Sequence, residues 1–252
     1  MSREKKVRPP SRSEGGGFWL YGLHAVKAAL ANPRRKIRRA AFTERAREEI
    51  RALRSGLKIE TYAPDALARL LPQGAVHQGA ALLCEPLPAL DLEDALANAP
   101  KGPRIVAVLD QITDPHNEGA ILRSAAAFGI SAVVVQDRHA PEESGALAKA
   151  ASGALDLLPR VAVVNIARAL EELGHLGFYR IALAADGESD IASAAPEGDI
   201  ALALGAEGAG LRRLVRERCD AAAFIPMSGA MESLNVSNAA AIAFYELRRK
   251  KT

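Results

Sequence analysis

From residue 104 onward, short continuous apolar runs alternate with stretches of helical periodicity. The apolar runs are residues 105–109, 132–135, 179–184, 200–204 and 221–225. Strands that are covered on both faces read as uninterrupted Val, Ile, Leu and Ala rather than as alternating patterns. Between the runs lie helical stretches at 119–128, 142–151, 166–173, 211–218 and 235–249. This alternation predicts an α/β domain built on a parallel sheet. No internal repeat is present.

The front of the chain has its own, shorter alternation. Order is expected to begin at Phe18-Trp19-Leu20-Tyr21-Gly22. A helix over 24–30 is ended by Asn32-Pro33. A strand at 37–42, a charged helix at 44–53, a strand at 58–62, a helical turn at 64–70 and a strand at 79–84 follow. Together they predict a small α/β domain, near the lower size limit for independent folding. Glu85-Pro86-Leu87-Pro88 cannot continue a strand, and a helix at 91–98 is bounded by Pro100, Gly102 and Pro103. The expected organisation is therefore a basic tail over 1–17, rich in Lys, Arg, Ser, Pro and Gly and disordered; a small domain over 18–84; a linker over 85–103; and the parallel-sheet domain over 104–252.

Composition adds two constraints. At 252 residues and 49% hydrophobic the chain can bury a sizeable core, but only 4% of it is aromatic, so that core is made of aliphatic side chains. The net charge of +3 hides an asymmetry: residues 1–60 carry 16 Lys and Arg against 6 Asp and Glu, and the remainder carries 17 against 24. A basic front on an acidic body fits a polyanionic partner, and fits equally a solvated basic tail and helix face. The run Arg34, Arg35, Lys36, Ile37, Arg38, Arg39 suits contacts to phosphates. Cys84 and Cys219 have no CxxC spacing and His is sparse, so buried thiols are expected and neither a disulfide framework nor a metal site. No apolar run approaches a membrane span, and the first residues lack the apolar core of a signal peptide. A cytoplasmic protein is expected.

Three loops carry the candidate chemistry, each after a predicted strand. The first, residues 111–125, contains Asp114-Pro115-His116-Asn117 and then Arg123 on an otherwise apolar helix. Asn117 sits where a helix N-cap would. Arg123 is either a salt-bridged surface residue or a functional one, because a guanidinium is costly to bury unpaired. The second loop is Gly205-Ala206-Glu207-Gly208-Ala209-Gly210. Its glycines allow close backbone approach, but it is neither GxGxxG nor a Walker A loop; an ordinary strand-to-helix turn explains it as well. The third, residues 225–240, runs Ile-Pro-Met-Ser-Gly-Ala-Met-Glu-Ser-Leu-Asn-Val-Ser-Asn-Ala-Ala, and its Ser and Asn side chains could simply cap the last helix. In an open α/β sheet the carboxyl edge is where ligands bind, so the three loops are expected to converge there.

In combination and in order, these loops resemble the three motifs of the SpoU (TrmH) family of RNA ribose 2'-O-methyltransferases: residues 117–128, 204–208 and 225–238. The resemblance covers residues 104–250. Tyr21-Gly22-Leu23-His24-Ala25-Val26 and His77-Gln78-Gly79 extend it to the small substrate-binding domain of a subgroup that methylates a guanosine in the peptidyl-transferase region of 23S ribosomal RNA. The resemblance implies the SPOUT α/β fold with a deep trefoil knot, an L30e-like N-terminal domain, a homodimer with its site near the subunit interface, and S-adenosylmethionine as cofactor without a metal. By motif position it implies cofactor contacts at Gly205, Gly208, Ile225, Met227 and Leu234. It places Asn117, Arg123, Glu207, Ser233 and Asn235 at catalytic positions. The basic run is then expected to bind ribosomal RNA. His116 invites a general-base reading, but its place in the Asp-Pro-His-Asn turn is the favoured explanation; His24 and His77 are expected to be structural or RNA-facing. The rival functions are a transfer-RNA methyltransferase, a non-catalytic RNA-binding assembly factor, and a nucleotide-dependent oxidoreductase, the last disfavoured by the missing GxGxxG.

Overall fold

The computed structural model describes residues 16–50, 54, 56–97, 99, 102–229 and 233–249. The basic tail, apart from Gly16 and Gly17, and part of the third loop (230–232) lie outside the described residues. The chain divides into two units.

The first unit runs to Leu87 and takes in the short segment Glu143–Gly145. Its elements are β1 (Phe18–Tyr21), α1 (Leu23–Ala31), β2 (Ile37–Phe42), α2 (Glu44–Ile50), β3 (Ile59–Thr61), α3 (Pro64–Ala68) and β4 (Ala80–Cys84). They form a four-stranded sheet of order β1-β4-β2-β3, in which β4 runs antiparallel to both neighbours and β2 pairs parallel with β3. Helix α1 buries Ala25, Val26, Ala29 and Leu30, one stripe at helical spacing. A second apolar cluster joins Tyr21, Ala41, Leu67, Leu71 and Ala81, with Trp19 and Tyr62 packed at its margin.

The second unit holds α4 (Leu92–Ala97), β5 (Ile105–Leu109), α5 (Pro115–Ala127), β6 (Ala132–Gln136), α6 (Gly145–Ala151, from Ala146 onward), α7 (Ala154–Leu157), β7 (Arg160–Val163) and α8 (Ile166–His175). It continues with β8 (Tyr179–Leu183), β9 (Ser189–Asp190), α9 (Ile191–Ala194), β10 (Ile200–Leu204), α10 (Arg213–Arg216), β11 (Ala221–Phe224) and α11 (Val236–Arg249). The strands make one sheet of order β7-β6-β5-β10-β8-β11-β9, and its pairings are parallel. The α/β architecture read from the alternation is thus the observed one. Every residue of β5 and β10 is buried, which is why both read as unbroken apolar runs. The two strands the pattern did not reveal are at the edges. In β7 only Val161 is buried, and β9 is two residues long, so neither has an apolar signature.

The strand order creates the site. The chain steps from β5 outward through β6 to β7, then returns to start β8 on the other side, and β10 later fills the gap between β5 and β8. The carboxyl ends of β5, β10, β8 and β11 therefore lie side by side. At the opposite edge, Arg104 is paired with Asp199 and Arg180 with Asp220, which fasten the amino ends of these strands.

Candidate functional site

The loops after β8, β10 and β11, with the start of α11, enclose a cavity of about 390 Å³. Seven residues singled out from the sequence line it: Gly205, Glu207, Gly208, Ile225, Met227, Ser233 and Leu234. The remaining walls include Leu183, Ala184 and Ala185 from the end of β8, and Val236 and Ala239 from α11. Val236 and Ala239 belong to the third loop read from the sequence, whereas Leu183, Ala184 and Ala185 were missed, because Leu-Ala-Ala after a strand has no polar or glycine signature; only the strand order brings it here.

The second loop owes its shape to its glycines. Ala206 and Gly210 form a small antiparallel bridge, with the Gly210 N–H donating to the Ala206 carbonyl at 2.8 Å. The tip between them turns through positive φ at Gly208 (80°), and Gly210 follows at 66°. A Cβ on Gly205 would collide with the backbone of Gly210 and Leu211, so this position admits no side chain without moving the loop.

Asn235 is the polar hub beside the cavity. It immediately precedes α11, and its Oδ1 accepts hydrogen bonds from the Ser237 N–H (2.9 Å) and the Ser237 hydroxyl (2.6 Å). That cap, of a kind that stabilises a helix by about 1 kcal/mol, dictates how the amide faces. Its Nδ2 is turned toward the other two loops, donating to Asn117 Oδ1 at 3.1 Å and to Glu207 Oε2 at 3.2 Å. One side chain thus ties the first, second and third loops together.

Asn117 is not the helix cap its sequence position suggested. Asp114 caps α5 by accepting from the His116 N–H at 2.9 Å, Pro115 occupies the first turn, and Asn117 lies inside the helix. The Asp-Pro pair wins because Pro favours the first helical position and Asp accepts there. The adjacent Glu118 is fully buried and paired with Arg160 at 2.6 Å. Arg123 is exposed and does not line the cavity. Six residues beyond Asn117, it sits about a third of a turn around α5.

In the first unit the basic run divides. Arg34 and Lys36 are exposed. Arg35 does not fit a phosphate-binding role: it is fully buried, and its guanidinium donates to Glu143 Oε2 at 2.6 Å and to the Glu85 carbonyl at 3.0 Å. A side chain within the basic run was drawn inward because the largely shielded Glu143 carboxylate and the Glu85 carbonyl accept from it. Arg38 grips Glu85 Oε1 through Nε and Nη2. Arg39 makes a two-point contact with Glu60 and lies 5.6 Å from the Trp19 ring centre. The Arg39 guanidinium, helped by the Tyr62 hydroxyl, holds the Glu60 carboxyl down at about 2.

Cys84 and Cys219 are not joined in a disulfide. Cys84 is buried; Cys219 is only partly so, yet desolvation pushes its thiol up to about 12, which keeps it inert at neutral pH. Among the described residues, no group of His, Cys, Asp and Glu could hold a metal ion, and no helix is long and apolar enough to cross a membrane.

Two family profiles match the chain: the SpoU rRNA Methylase family over residues 104–245, and RNA 2'-O ribose methyltransferase substrate binding over residues 19–90. Similar proteins include the 23S rRNA (guanosine-2'-O-)-methyltransferases RlmB of Ralstonia nicotianae and Xylella fastidiosa. The first is 40% identical over 92% of this chain and 96% of its own length. The second is 37% identical over 93% and 97%. Among solved structures, the SpoU methyltransferase AviRb from Streptomyces viridochromogenes, in complex with AdoMet, superposes with a TM-score of 0.78. It is 27% identical, covering 94% of this chain and 91% of that one.

Proposed function

The chain belongs to the SpoU rRNA methylase family, and on that premise we propose its function: it transfers a methyl group from S-adenosylmethionine to the ribose 2'-hydroxyl of a guanosine in 23S ribosomal RNA. The observation that carries this reading is the Asn235 hub, which gathers Asn117 and Glu207 at the rim of a cavity built from the second and third loops. The cavity lies within the size range of small-molecule sites and combines apolar walls (Leu183, Leu204, Ile225, Leu234) with the exposed backbone of a glycine loop. These are features that suit a nucleoside bearing an aliphatic sulfonium arm. Gly205, Gly208, Ile225, Met227 and Leu234 would hold it.

When bound, S-adenosylmethionine supplies a sulfonium methyl that is already electrophilic. The chain's own task is to align the 2'-oxygen and lower the cost of its becoming anionic. Alignment contributes several kcal/mol, and positioned donors add more. Asn117, Glu207, Ser233 and Asn235 orient the reactants at the rim. Arg123 supports alkoxide character at the 2'-oxygen or contacts the neighbouring phosphate; it is not the base, because a guanidinium keeps its proton at any working pH.

Arg123 lies away from the cavity of its own chain, and this supports a homodimer whose site completes at the subunit boundary. Helix α11 packs on α5, with the Phe128 and Tyr245 rings edge to face at 5.9 Å, and it leaves Ile242 and Tyr245 39% and 50% exposed. An apolar pair of that exposure suits burial by a second copy. The trefoil knot belongs to the same proposal, as do the division into a substrate-binding domain (18–84), a linker (85–103) and a methyltransferase domain (104–252), and a cytoplasmic location. Arg34, Lys36 and the outer faces of Arg38 and Arg39 remain the proposed RNA contacts. The substrate-binding match over 19–90 favours ribosomal over transfer RNA.

Mapping 2'-O-methylation on 23S ribosomal RNA from cells with and without the gene tests the function. One guanosine should lose its mark in the deletion and regain it with the wild-type gene but not with Arg123→Ala. An unchanged map would overturn the assignment. Purified Arg123→Ala should lose turnover yet bind cofactor as wild type does.

A further inference from the structure

Asp110 was in none of the motifs, yet it is buried at the carboxyl end of β5, where an unpaired carboxylate would be costly. Its contacts all go to the two ends of one loop. Its N–H donates to the carbonyl of Leu204, the last residue of β10, at 2.8 Å. Its Oδ2 accepts from the Arg212 N–H at 2.9 Å, and its Oδ1 from Arg212 Nε at 2.8 Å and Nη2 at 2.6 Å. Arg212 Nη2 also reaches Gln136 Oε1 at 3.2 Å, at the end of β6. The loop 205–211, which supplies Gly205, Ala206, Glu207, Gly208 and Gly210 to the cavity, therefore leaves and returns within reach of a single residue.

We propose that Asp110 is a positioning residue that holds the cavity loop 205–211 in its cofactor-binding shape through Arg212. The inference rests on the reading that this loop holds S-adenosylmethionine. The physical need comes from the loop's own sequence. Three glycines give it more backbone freedom than other residues would, and ordering it at the moment of binding would weaken affinity. Fastening both ends to a buried carboxylate meets that cost in advance. The Arg–Asp pairs at the amino edge differ in kind: they join neighbouring strand ends and touch no part of the cavity.

The test uses the full chain and S-adenosylhomocysteine as the probe, with Asp110→Asn and Arg212→Lys compared with wild type. Charged hydrogen bonds of this kind support a loss of tenfold or more. The dissociation constant should rise by at least that in Asp110→Asn, and by less in Arg212→Lys, which keeps its backbone bond to Asp110. The KM for S-adenosylmethionine should rise more than kcat falls. In the ligand-free variants, amide hydrogen exchange should quicken over 205–211 while β5 and β10 stay protected. A merely structural pair would lower the melting temperature and raise exchange throughout residues 104–249, leaving affinity unchanged; that pattern would overturn the proposal. If Asp110→Asn does not fold, Arg212→Lys carries the same readouts. Failure of wild type to bind the probe would count against the proposed function instead, and the exchange comparison would still judge the loop.

Discussion

Changing Asn235 to Asp alters almost nothing except the two donors that the proposed chemistry depends on. Asp is as good a helix cap as Asn, so the bonds from the Ser237 N–H and hydroxyl to Oδ1 survive and α11 keeps its start. What is lost is the Nδ2 donation to Asn117 and to the Glu207 carboxylate. A neutral hydrogen bond contributes about 0.5–1.5 kcal/mol and one to a charged group about 1.5–3 kcal/mol. In their place two carboxylates face each other. At that range the repulsion is between about 1 kcal/mol in bulk water and about 4 kcal/mol near a protein surface, and the exposed Glu207 belongs toward the lower figure. A total of about 3 kcal/mol corresponds to roughly 100-fold in rate. Methyl transfer from labelled S-adenosylmethionine to 23S ribosomal RNA fragments should therefore fall about 100-fold in kcat/KM near pH 7.5, while the melting temperature barely moves. A variant within about threefold of wild type would refute the idea that Asn235 organises the site.

Two further perturbations probe other parts of the molecule. Gly205→Ala puts a methyl into the backbone of Gly210 and Leu211, which cannot rotate away as a side chain could; overpacking of about 1–3 kcal/mol should weaken S-adenosylhomocysteine binding about fivefold or more in calorimetry, and wild-type affinity would contradict the packed loop. Glu60, held down at about 2 by Arg39 and Tyr62 against an ordinary 4.5, favours the folded state above about pH 4.5 and loses that contribution as pH falls from 4.5 toward 2. Both partners are substantially exposed, so the effect should stay within about 1 kcal/mol. Denaturant titrations from pH 7 to 3 should show a shallower acid loss for Glu60→Gln, and an unchanged slope would remove the pair from the acid response.

Much of the parallel sheet could be read directly, because a strand covered on both faces has no solvent side to carry polar residues. Strands β5 and β10 were legible to the residue for that reason, and so were the glycine loop and the third loop, whose local backbone chemistry is written in Gly, Ser and Asn. Edge strands β7 and β9 were not legible, since one open side removes the apolar signature. Nor was the cap of α5, where Asp-Pro displaced the expected role of Asn117. Arg35 shows the same limit from another side: in the sequence it is one of five cations in a run, and in the structure Glu143, more than a hundred residues away, takes it into the interior.

The sequence by itself determined the buried strands, the helical stretches between them, the motif chemistry and the family, because each depends on residues near one another in the chain. Tertiary structure alone decided which of those residues meet. It inserted β10 between β5 and β8, turned one amide of Asn235 toward Asn117 and Glu207, and set the plain Leu183-Ala184-Ala185 stretch as a cavity wall. It also closed the glycine loop on Asp110. The physical reason is that hydrogen bonds and packing act over a few ångströms of space, and strand order, which no local pattern encodes, determines which distant segments come within that range.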